Sequence, residues 1–458
     1  MKRVFISALA KSSGKTTVAV GLTRALVRRG LNTAPFKKGP DYIDPLWLSG
    51  AAGRACYNLD FNTQTHDEIL ATLAAAPADI QLIEGNKGLH DGVALDGADS
   101  SAALAKLTRA PVLLVANAEG LERGLAPLIA GVTRFDPDVC FLGLVLNKVG
   151  TLRQTDKLRA AIERYTDLKL LGVLPRGEGI ARERHLGLVP PQGNSAHTSV
   201  VDVLADKMEA GLDVTAIVSA IEDVSGESAS FAAQVHPSAS ATIAIPRDAA
   251  FCFYYADDLD ALRQAGARLT FFDALRDTAL PDCDGLLIGG GFPECTAGAL
   301  AANSRLKSSI RDAINAGLPA YAECGGLMYL SRNLIVDGIA HPMCGVLDLD
   351  MVMEERPVGR GLVELVETDQ SPWPGARTGR IIHAHEFHHA RAINIGPDAQ
   401  FAYTVARGYG ITGQEDGMVR ARLLASFAHL RTTSAHRWTD RFMALVNTAQ
   451  LSTLRYAS

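Results

Sequence analysis

The sequence lacks the cysteine patterns that mark disulfide-rich or zinc-binding proteins. It has seven cysteines in 458 residues, an odd number, and no two of them form a C-x-x-C motif. In a chain this long, these facts disfavour both a disulfide framework and a cysteine zinc site. We expect most of the cysteines to be small buried hydrophobic residues unless their surroundings indicate a chemical role.

The sequence also lacks an excess of positive charge and any long apolar run. Its 45 lysines and arginines are outnumbered by 50 aspartates and glutamates, for a formal net charge of −5. Nucleic acid and anionic membranes are therefore poor partners, and a small-molecule substrate is favoured. No stretch approaches the roughly 20 apolar residues of a membrane helix, and Lys11 and Lys15 interrupt the apolar start of the chain. We expect a soluble, cytoplasmic protein.

What the sequence does contain is an alternation of apolar runs and amphipathic helical patterns. In the first half, VFISAL, IQLIEG, PVLLVANA and CFLGLVLNKV have the length and apolar character of buried parallel strands. Helical patterns lie between them, such as TTVAVGLTRALVRRG, which Gly30 closes. This predicts an α/β fold with a doubly wound parallel sheet.

A second alternation follows a segment that has no clear period. The run GESASFAAQVHPSASAT predicts a linker over residues 226–242, between a first domain, 1–225, and a second, 243–458. In the second domain TIAIP, RLTFFD, DGLLIGGG and PAYAECGG resemble strands, and DLDALRQAG resembles a helix. The final third of the chain shifts toward mixed strands.

The segment SALAKSSGKTT follows the first predicted strand and opens a helix, which is the context of a phosphate-binding P-loop. Lys15 would reach the β- and γ-phosphates of ATP, Thr16 would ligate Mg²⁺, and backbone N–H groups would surround the phosphates. Leu9 replaces the first glycine of the motif, so a Ser- and Lys-rich loop without nucleotide is the alternative. The candidate ATP-binding residues here are Ser13, Gly14, Lys15, Thr16 and Thr17.

Two other strand ends carry polar side chains that face the same crevice. Glu84 ends the run IQLIE, and Asn147 ends the run FLGLVLN. Because parallel strands end at a common edge of the sheet, Glu84 would support Mg²⁺ together with Thr16 and Asp44, and Asn147 would contact the base. A solvated strand-end acid is the alternative for Glu84.

Two loops mix lysines with carboxylates near this edge, FKKGPDYIDP and EGNKGLHDG. Such a mixture beside ATP suggests recognition of an anionic substrate and of its metal. Charged turns around glycine and proline are the alternative for any one residue. The candidate substrate-binding residues are Lys38, Asp41, Tyr42, Lys87, His90 and Asp91.

The run LPAYAECGGLMYL predicts a strand that ends at Cys324 and turns through two glycines into a helix. Such a turn lifts the sulfur out at a helix N-terminus, where thiolate is favoured, so Cys324 is a candidate nucleophile. His429, just after an apolar run, is its candidate base. Gly290 and Gly291 are candidates for an oxyanion hole. The alternatives are a buried cysteine, a structural histidine and a plain glycine turn.

The stretch HAHEFHH, residues 383–389, contains a match to the H-E-x-x-H pattern of zinc proteases. That pattern binds zinc on a helix, where histidines four residues apart share one face. Here Ile381, His383, His385, Phe387 and His389 alternate as in a strand. At ~3.3 Å per residue, His385 and His389 would stand ~13 Å apart, too far to share one ion. We therefore interpret the match as a false positive.

The order of these motifs resembles the cobyrinate a,c-diamide synthase family of glutamine-dependent amidotransferases. The resemblance spans nearly the whole chain, and it implies an ATP-binding synthetase domain followed by a class I glutamine amidotransferase domain. The motifs that carry it are FKKGPDYIDP, GRACYNLD, ERHLGLVP, AFCFYYADDLDALRQAGA, IGGGFPE, AECGGLMYL, HEFHH, RGYGI and ASFAHL.

The resemblance also implies roles for residues and partners. Cys324 would be the glutaminase nucleophile and His429 its base, while Lys15, Thr16 and Glu84 would serve ATP and Mg²⁺. The implied reaction is ATP- and glutamine-dependent amidation of the a and c acetate side chains of a modified tetrapyrrole, with a homodimer as one possible assembly. The residues implied to line the site of carboxylate activation are Asp41, Asp44 and Asp91.

Two segments depart from the family pattern. The family loop usually reads E-G-V-M-G-L-Y-D-G, whereas EGNKGLHDG carries Asn86, Lys87 and His90 in place of apolar and aromatic residues. This variant is similar to the branch associated with sirohaem or sirohydrochlorin amidation, in which Lys87 would pair with a ring carboxylate. Typical triad glutaminases carry a glutamate two residues after the histidine, where this chain has Arg431, so the third member of the triad stays open.

A protein of another class is the alternative: an ATP switch of the partitioning type with an inactive second domain. The presence of Cys324 and His429 argues against it. Glutaminase activity without a protein partner would discriminate the two. The ring metal and the number of side chains amidated stay open.

Overall fold

The computed structural model describes residues 2–177, 195–223 and 240–456. The chain divides into two compact units, residues 1–232 and 233–458, which we call unit 1 and unit 2. The motif ERHLGLVP, at 183–190, and residues 226–239 of the predicted linker lie outside the described residues. The last two residues of that predicted linker, Ala241 and Thr242, belong to the first strand of unit 2.

Unit 1 contains seven strands and eight helices within its described residues. The strands are β1 (Lys2–Ala8), β2 (Thr33–Lys38), β3 (Tyr57–Leu59), β4 (Ile80–Glu84), β5 (Val112–Asn117), β6 (Phe141–Val149) and β7 (Leu170–Pro175). The helices are α1 (Lys15–Arg28), α2 (Ile43–Ala52), α3 (His66–Ala74), α4 (Ser101–Leu107), α5 (Leu125–Phe135), α6 (Leu152–Tyr165), α7 (Ser195–Gly211) and α8 (Val214–Ala220).

The strands of unit 1 form one sheet in the order β3-β2-β4-β1-β5-β6-β7, and every neighbouring pair is parallel. Successive residues of a strand face opposite sides, so Val4 and Ile6 join one apolar cluster and Phe5 joins another. Helices α1, α2, α7 and α8 supply the first cluster, and α3 to α6 supply the second. The predicted doubly wound sheet is confirmed, with β1, β4, β5 and β6 as its four predicted strands.

Unit 2 is a larger mixture of strands and helices. Its described strands are β8 (Ala241–Pro246), β9 (Phe251–Phe253), β10 (Ala267–Phe272), β11 (Gly285–Ile288), β12 (Gly290–Gly291), β13 (Ala320–Glu323), β14 (Asn333–Val336), β15 (Ile339–Pro342), β16 (Asp350–Met353), β17 (Gly359–Glu367), β18 (Ile381–His388), β19 (Ala390–Ile393), β20 (Gln400–Arg407), β21 (Glu415–Arg420) and β22 (Leu423–Ser426). Its helices are α9 (Ala256–Gln264), α10 (Ala297–Ala302), α11 (Ser304–Asn315), α12 (Gly325–Leu330) and α13 (Trp438–Tyr456), with a 3₁₀ turn at Pro293–Thr296.

The main sheet of unit 2 has the order β10-β8-β11-β13-β22-β21-β20-β17-β18. The first five strands in this order, β10, β8, β11, β13 and β22, pair in parallel. Beyond β22 the pairing becomes antiparallel, which accounts for the mixed strands expected in the final third. The parallel half places the carboxyl ends of β11, β13 and β22 side by side.

The expectations about cysteines and about membrane helices concern both units. All seven cysteines are free, and four of them, Cys56, Cys252, Cys324 and Cys344, are buried. Across residues 2–177, 195–223 and 240–456, no helix is both long enough and apolar enough to span a bilayer.

An aromatic cluster packs against β13 in the parallel half of the main sheet of unit 2. The ring centroid of Tyr321 on β13 lies 4.9 Å from that of Trp373 and 4.9 Å from that of Trp438. The two indoles are stacked, with centroids 6.0 Å apart, and all three side chains are almost completely buried. The cluster therefore fixes the position of β13 through its Tyr321 side chain.

Replacing Trp373 by alanine should lower the free energy of unfolding of unit 2 by roughly 3–5 kcal/mol, because a large buried ring is lost and its cavity cannot fully collapse. Urea unfolding followed by circular dichroism would measure this. The control is Ile339→Ala, whose side chain is 62% exposed. It should change the stability by no more than about 0.5 kcal/mol. Equal effects of the two substitutions would contradict the prediction.

Candidate active sites

The loop between β1 and α1 has the geometry of a phosphate-binding turn. Gly14 adopts a positive φ of 96°, and a Cβ on it would lie 2.0 Å from Nδ2 of Asn147. Asn147 Nδ2 donates a hydrogen bond of 2.9 Å to the carbonyl of Ser13, and Ser13 Oγ donates one of 2.8 Å to the carbonyl of Ala10. Glycine is thus required both by the backbone and by space, and Asn147 supports the loop from β6.

A cavity of about 640 Å³ lies where this loop meets the carboxyl ends of the strands. It is lined by both lysines and carboxylates. Among the predicted residues, its walls contain Gly14, Lys15, Thr16, Thr17, Asp41, Asp44, Glu84, Lys87 and Asn147. They also contain Lys148, which follows Asn147, and three residues that we did not predict as ligands: Lys11, Asn86 and Lys207. The structure therefore gathers most of the candidate nucleotide and metal residues at one site.

Thr16 and two carboxylates form an oxygen-rich corner of the cavity. Thr16 Oγ1 donates to Glu84 Oε1 at 2.7 Å and lies 3.3 Å from Asp44 Oδ2. Glu84 Oε2 is buried and has no hydrogen-bond partner among the described residues. Hydroxyl and carboxylate oxygens are the ligands that Mg²⁺ prefers, so these residues fit that ion.

A buried lysine compensates the two carboxylates. Lys37 Nζ lies 3.0 Å from Asp44 Oδ2 and 3.6 Å from Glu84 Oε1, and only 2% of the residue is exposed. Burial opposes its charge, but the carboxylates of Glu84 and Asp44 raise the pKa of Lys37 above its usual value. Burial and the negative charge of Asp44 raise the pKa of Glu84 to about 7. Charge balance therefore holds this corner together.

Lys15 is hydrogen-bonded to the second predicted loop. Its Nζ donates to the carbonyl of Lys87 at 2.6 Å, and Lys87 itself has a positive φ of 47°. Burial and the positive charge of Lys37 lower the pKa of Lys15 to about 8. The lysine that would contact phosphate thus also connects the P-loop to the loop at residues 86–91.

Several predicted substrate residues lie outside the cavity walls. Lys38 Nζ donates to Asn86 Oδ1 at 3.1 Å, and Asp91 accepts from the N–H of Gly88 at 2.8 Å. His90 points to α5, where its Nε2 lies 2.9 Å from the carbonyl of Val132 and its ring packs against Phe135. Tyr42 is buried at the start of α2. The structure does not bring these four side chains to the cavity.

In unit 2, Cys324 occupies the turn between β13 and α12 with φ 47° and ψ −99°. Its N–H donates to the carbonyl of Ser426 at 2.7 Å, which ties the turn to β22. A Cβ on Gly326 would lie 2.3 Å from the carbonyl oxygen of Ile288, so only glycine permits this approach of α12 to β11. A strained turn closed by glycine is typical of a nucleophile held in place.

The predicted base lies beside this sulfur. His429 is hydrogen-bonded to Cys324, and its Nδ1 lies 3.2 Å from Glu323 Oε2. Burial lowers the pKa of His429, but the hydrogen bonds to Cys324 and Glu323 outweigh it and raise the pKa to about 10. The imidazole can therefore hold a proton at neutral pH, as a partner of a thiolate does. We had not predicted Glu323, although it directly precedes the cysteine.

Both predicted oxyanion glycines lie against this pair. A Cβ on Gly290 would come within 2.7 Å of His429 Cε1, and a Cβ on Gly325 would come within 3.2 Å of the nitrogen of Gly291. The backbone of β12 therefore lies close to the turn at Cys324. Any side chain larger than that of glycine at residue 290 would displace the imidazole of His429.

The HAHEFHH segment forms the edge strand β18, as its alternation predicted. Glu386 accepts hydrogen bonds from the N–H groups of Tyr409 and Gly410 at 2.7 and 2.9 Å. The ring of His388 stacks on Phe427 with centroids 3.7 Å apart. These contacts give the glutamate and this histidine structural roles.

Two family models match the chain. A CobQ/CobB/MinD/ParA nucleotide binding domain matches residues 5–189, and a CobB/CobQ-like glutamine amidotransferase domain matches residues 242–436. With the P-loop cavity of unit 1 and the Cys324–His429 pair of unit 2, these matches define the class: a glutamine amidotransferase ligase with a nucleotide-binding domain.

Named relatives align with almost the whole chain. The cobyrinate a,c-diamide synthase of Magnetococcus marinus is 43% identical over 450 residues, which cover 95% of each chain. That of Archaeoglobus fulgidus is 38% identical and covers 96% of each chain. That of Methanosarcina acetivorans is also 38% identical and covers 93% of this chain and 92% of its own. The chain belongs to the cobyrinate a,c-diamide synthase family.

The pKa of Lys15 predicts how ATP binding depends on pH. Bound phosphate favours the charged ammonium, so binding is strongest below the free-protein pKa of about 8 and weakens as the pH rises through it. Calorimetric titration with ATP in the presence of EDTA would isolate this effect from metal binding. Lys15→Arg stays charged, so it should show no such decline between about pH 7 and 9.5. Equal pH profiles for the two proteins would refute the assignment.

Proposed function

We propose that this chain uses ATP and glutamine to convert acetate carboxylates of a tetrapyrrole into amides, with cobyrinate and its a and c side chains as the first candidate. The observation that carries the proposal is the hydrogen-bonded Cys324–His429 pair at a strained strand-to-helix turn. The names of the relatives support the choice of ring. The lysine-lined cavity of unit 1 supports ATP and a polyanionic substrate.

The glutaminase half-reaction would take place at Cys324. The thiolate attacks the side-chain amide of glutamine, while N–H groups near Gly290 and Gly291 stabilise the oxyanion. His429 gives its proton to the departing nitrogen, ammonia leaves, and a glutamyl thioester remains. Water, deprotonated by the same imidazole, then releases glutamate and restores the thiol.

The synthetase half-reaction would take place in the cavity of unit 1. A carboxylate oxygen of the substrate attacks the γ-phosphorus of ATP, the bond to the bridging oxygen breaks, and ADP and an acyl phosphate form. Lys15 stabilises the charge on the transferring group, and Mg²⁺ held by Thr16, Asp44 and Glu84 would neutralise phosphate charge. Ammonia then attacks the acyl carbon and inorganic phosphate leaves.

A sirohaem-type ring is the second candidate substrate. Asn86 and Lys87 line the cavity, so the loop that departs from the family pattern does reach the site. The Lys87 ammonium would pair with a ring carboxylate that an apolar residue could not bind. His90, in the same loop, packs against α5 and contributes no contact in the cavity.

Cys324→Ser should reduce glutamine-dependent amidation by at least about 1000-fold, because the nucleophile is lost. Amidation supported by ammonium salt should persist, since unit 1 is unchanged. The two activities can be followed by ADP release with either nitrogen source. The control is Cys140→Ser, which removes an exposed cysteine of unit 1 and should preserve both. Loss of both activities in a folded Cys324→Ser protein would be incompatible with separate sites.

A substrate panel would identify the ring. The protein would be incubated with ATP, glutamine and cobyrinate, sirohydrochlorin or sirohaem, and the products analysed by chromatography with mass spectrometry. Each acetate converted to an amide replaces a hydroxyl group by an amino group and removes one negative charge, so both the ring and the number of amidations are measured. Turnover of cobyrinate alone would exclude the sirohaem-type candidate.

A further inference from the structure

A buried carboxylate lies beside the candidate base. Glu323 Oε2 lies 3.2 Å from His429 Nδ1, with exposures of 7% and 3% for the two residues. We infer that Glu323 is the third member of the glutaminase triad, a positioning residue supplied by the nucleophile's own strand. The inference rests on the proposed glutaminase function of Cys324 and His429.

The second carboxylate oxygen of Glu323 is also held. Its Oε1 accepts a 2.5 Å hydrogen bond from the hydroxyl of Tyr321 and a 2.9 Å bond from the N–H of Leu430. Tyr321 is in turn fixed in the aromatic cluster with Trp373 and Trp438. With one oxygen anchored from two sides, the other is aimed at Nδ1.

This contact determines the tautomer of the base. When Nδ1–H donates to Glu323, Nε2 is the nitrogen left to exchange a proton with Cys324. The carboxylate also stabilises the imidazolium that forms, in keeping with the raised pKa of His429. The groups around this imidazole are Cys324, Glu323 and His385; burial and the charge of His429 lower the pKa of His385 to about 3, so His385 is uncharged at neutral pH.

The residue at the usual triad position has another partner. Arg431 Nη2 lies 2.6 Å from Asp257 Oδ2, and its guanidinium lies 5.2 Å from the ring centroid of Tyr255. The next residue, Thr432, donates its N–H to Asp258 at 2.7 Å. The segment after His429 is thus anchored to α9, and the carboxylate for the histidine comes from β13.

The test compares Glu323→Gln with Tyr321→Phe. A glutamine at residue 323 keeps the size of glutamate and an oxygen that can accept from Tyr321 and Leu430, but it turns an N–H donor toward Nδ1 of His429. The kcat of the Glu323→Gln variant for glutamine hydrolysis should fall by about 10²- to 10⁴-fold with little change in KM. The basic limb of its pH profile should shift to lower pH, because the imidazolium loses its carboxylate. Ammonium-dependent amidation should be retained.

Tyr321→Phe is the matched control, because it removes one hydrogen bond to Glu323 and leaves the carboxylate in place. Its rate should fall by at most about tenfold, the effect of one hydrogen bond, and its basic limb should not move. A Glu323→Gln protein with the wild-type kcat and basic limb would overturn the inference while leaving the proposed function intact. Wild-type protein without glutaminase activity would overturn both.

A third variant keeps the test decisive if Glu323→Gln also loses ammonium-dependent activity, which would indicate a folding defect. Glu323→Asp retains the carboxylate, so it should recover glutamine hydrolysis with the basic limb at the wild-type pH. An Asp variant that keeps its ammonium-dependent activity, yet hydrolyses glutamine no faster than the Gln variant, would count against a positioning role.

Discussion

The parallel pairing of β13 with β22 brings Cys324 and His429 together. Glu323 and Ser426 are in register at the ends of these strands, and the N–H of Cys324 donates to the carbonyl of Ser426. Only two residues separate Ser426 from His429. Asp416, fully buried on β21, accepts hydrogen bonds from the Ser426 hydroxyl and from the N–H groups of the two following residues at 2.7–3.0 Å. Asp416 therefore fixes the backbone that leads to His429, and Glu323 contacts its imidazole directly.

Unit 1 uses the same edge of a parallel sheet but balances charge there. Lys37 lies between Asp44 and Glu84 and offsets their negative charge in a buried corner, where isolated charges are strongly unfavourable. Burial and the same lysine lower the pKa of Lys15, so one buried cation affects both the two carboxylates and the lysine of the P-loop. Any cation that binds Glu84 and Asp44 therefore alters the balance that sets the charge of Lys15.

Patterns in the sequence predicted those features of the two sites that depend on local structure. It was possible to predict the P-loop residues, Glu84 and the turn at Cys324, because parallel strands must end at a common edge and glycine must follow a tight turn. His90 was not, because its direction depends on a hydrogen bond to α5, 42 residues away. Lys207 reaches the cavity from α7, which carries no motif to mark it. Long-range placement of this kind leaves no signal in a single sequence.

Glu323 shows why an expected spacing can mislead. A glutamate two residues after the histidine is needed only if the carboxylate must come from the histidine's own segment. Here adjacent strands put the residue before the nucleophile within reach of Nδ1, so the segment after the histidine is released from that role. Arg431 can then anchor that segment to Asp257. The same geometry was required to interpret HAHEFHH, since a strand period separates histidines that a helix would bring together. In both cases the spacing acquires chemical meaning only once the backbone is known.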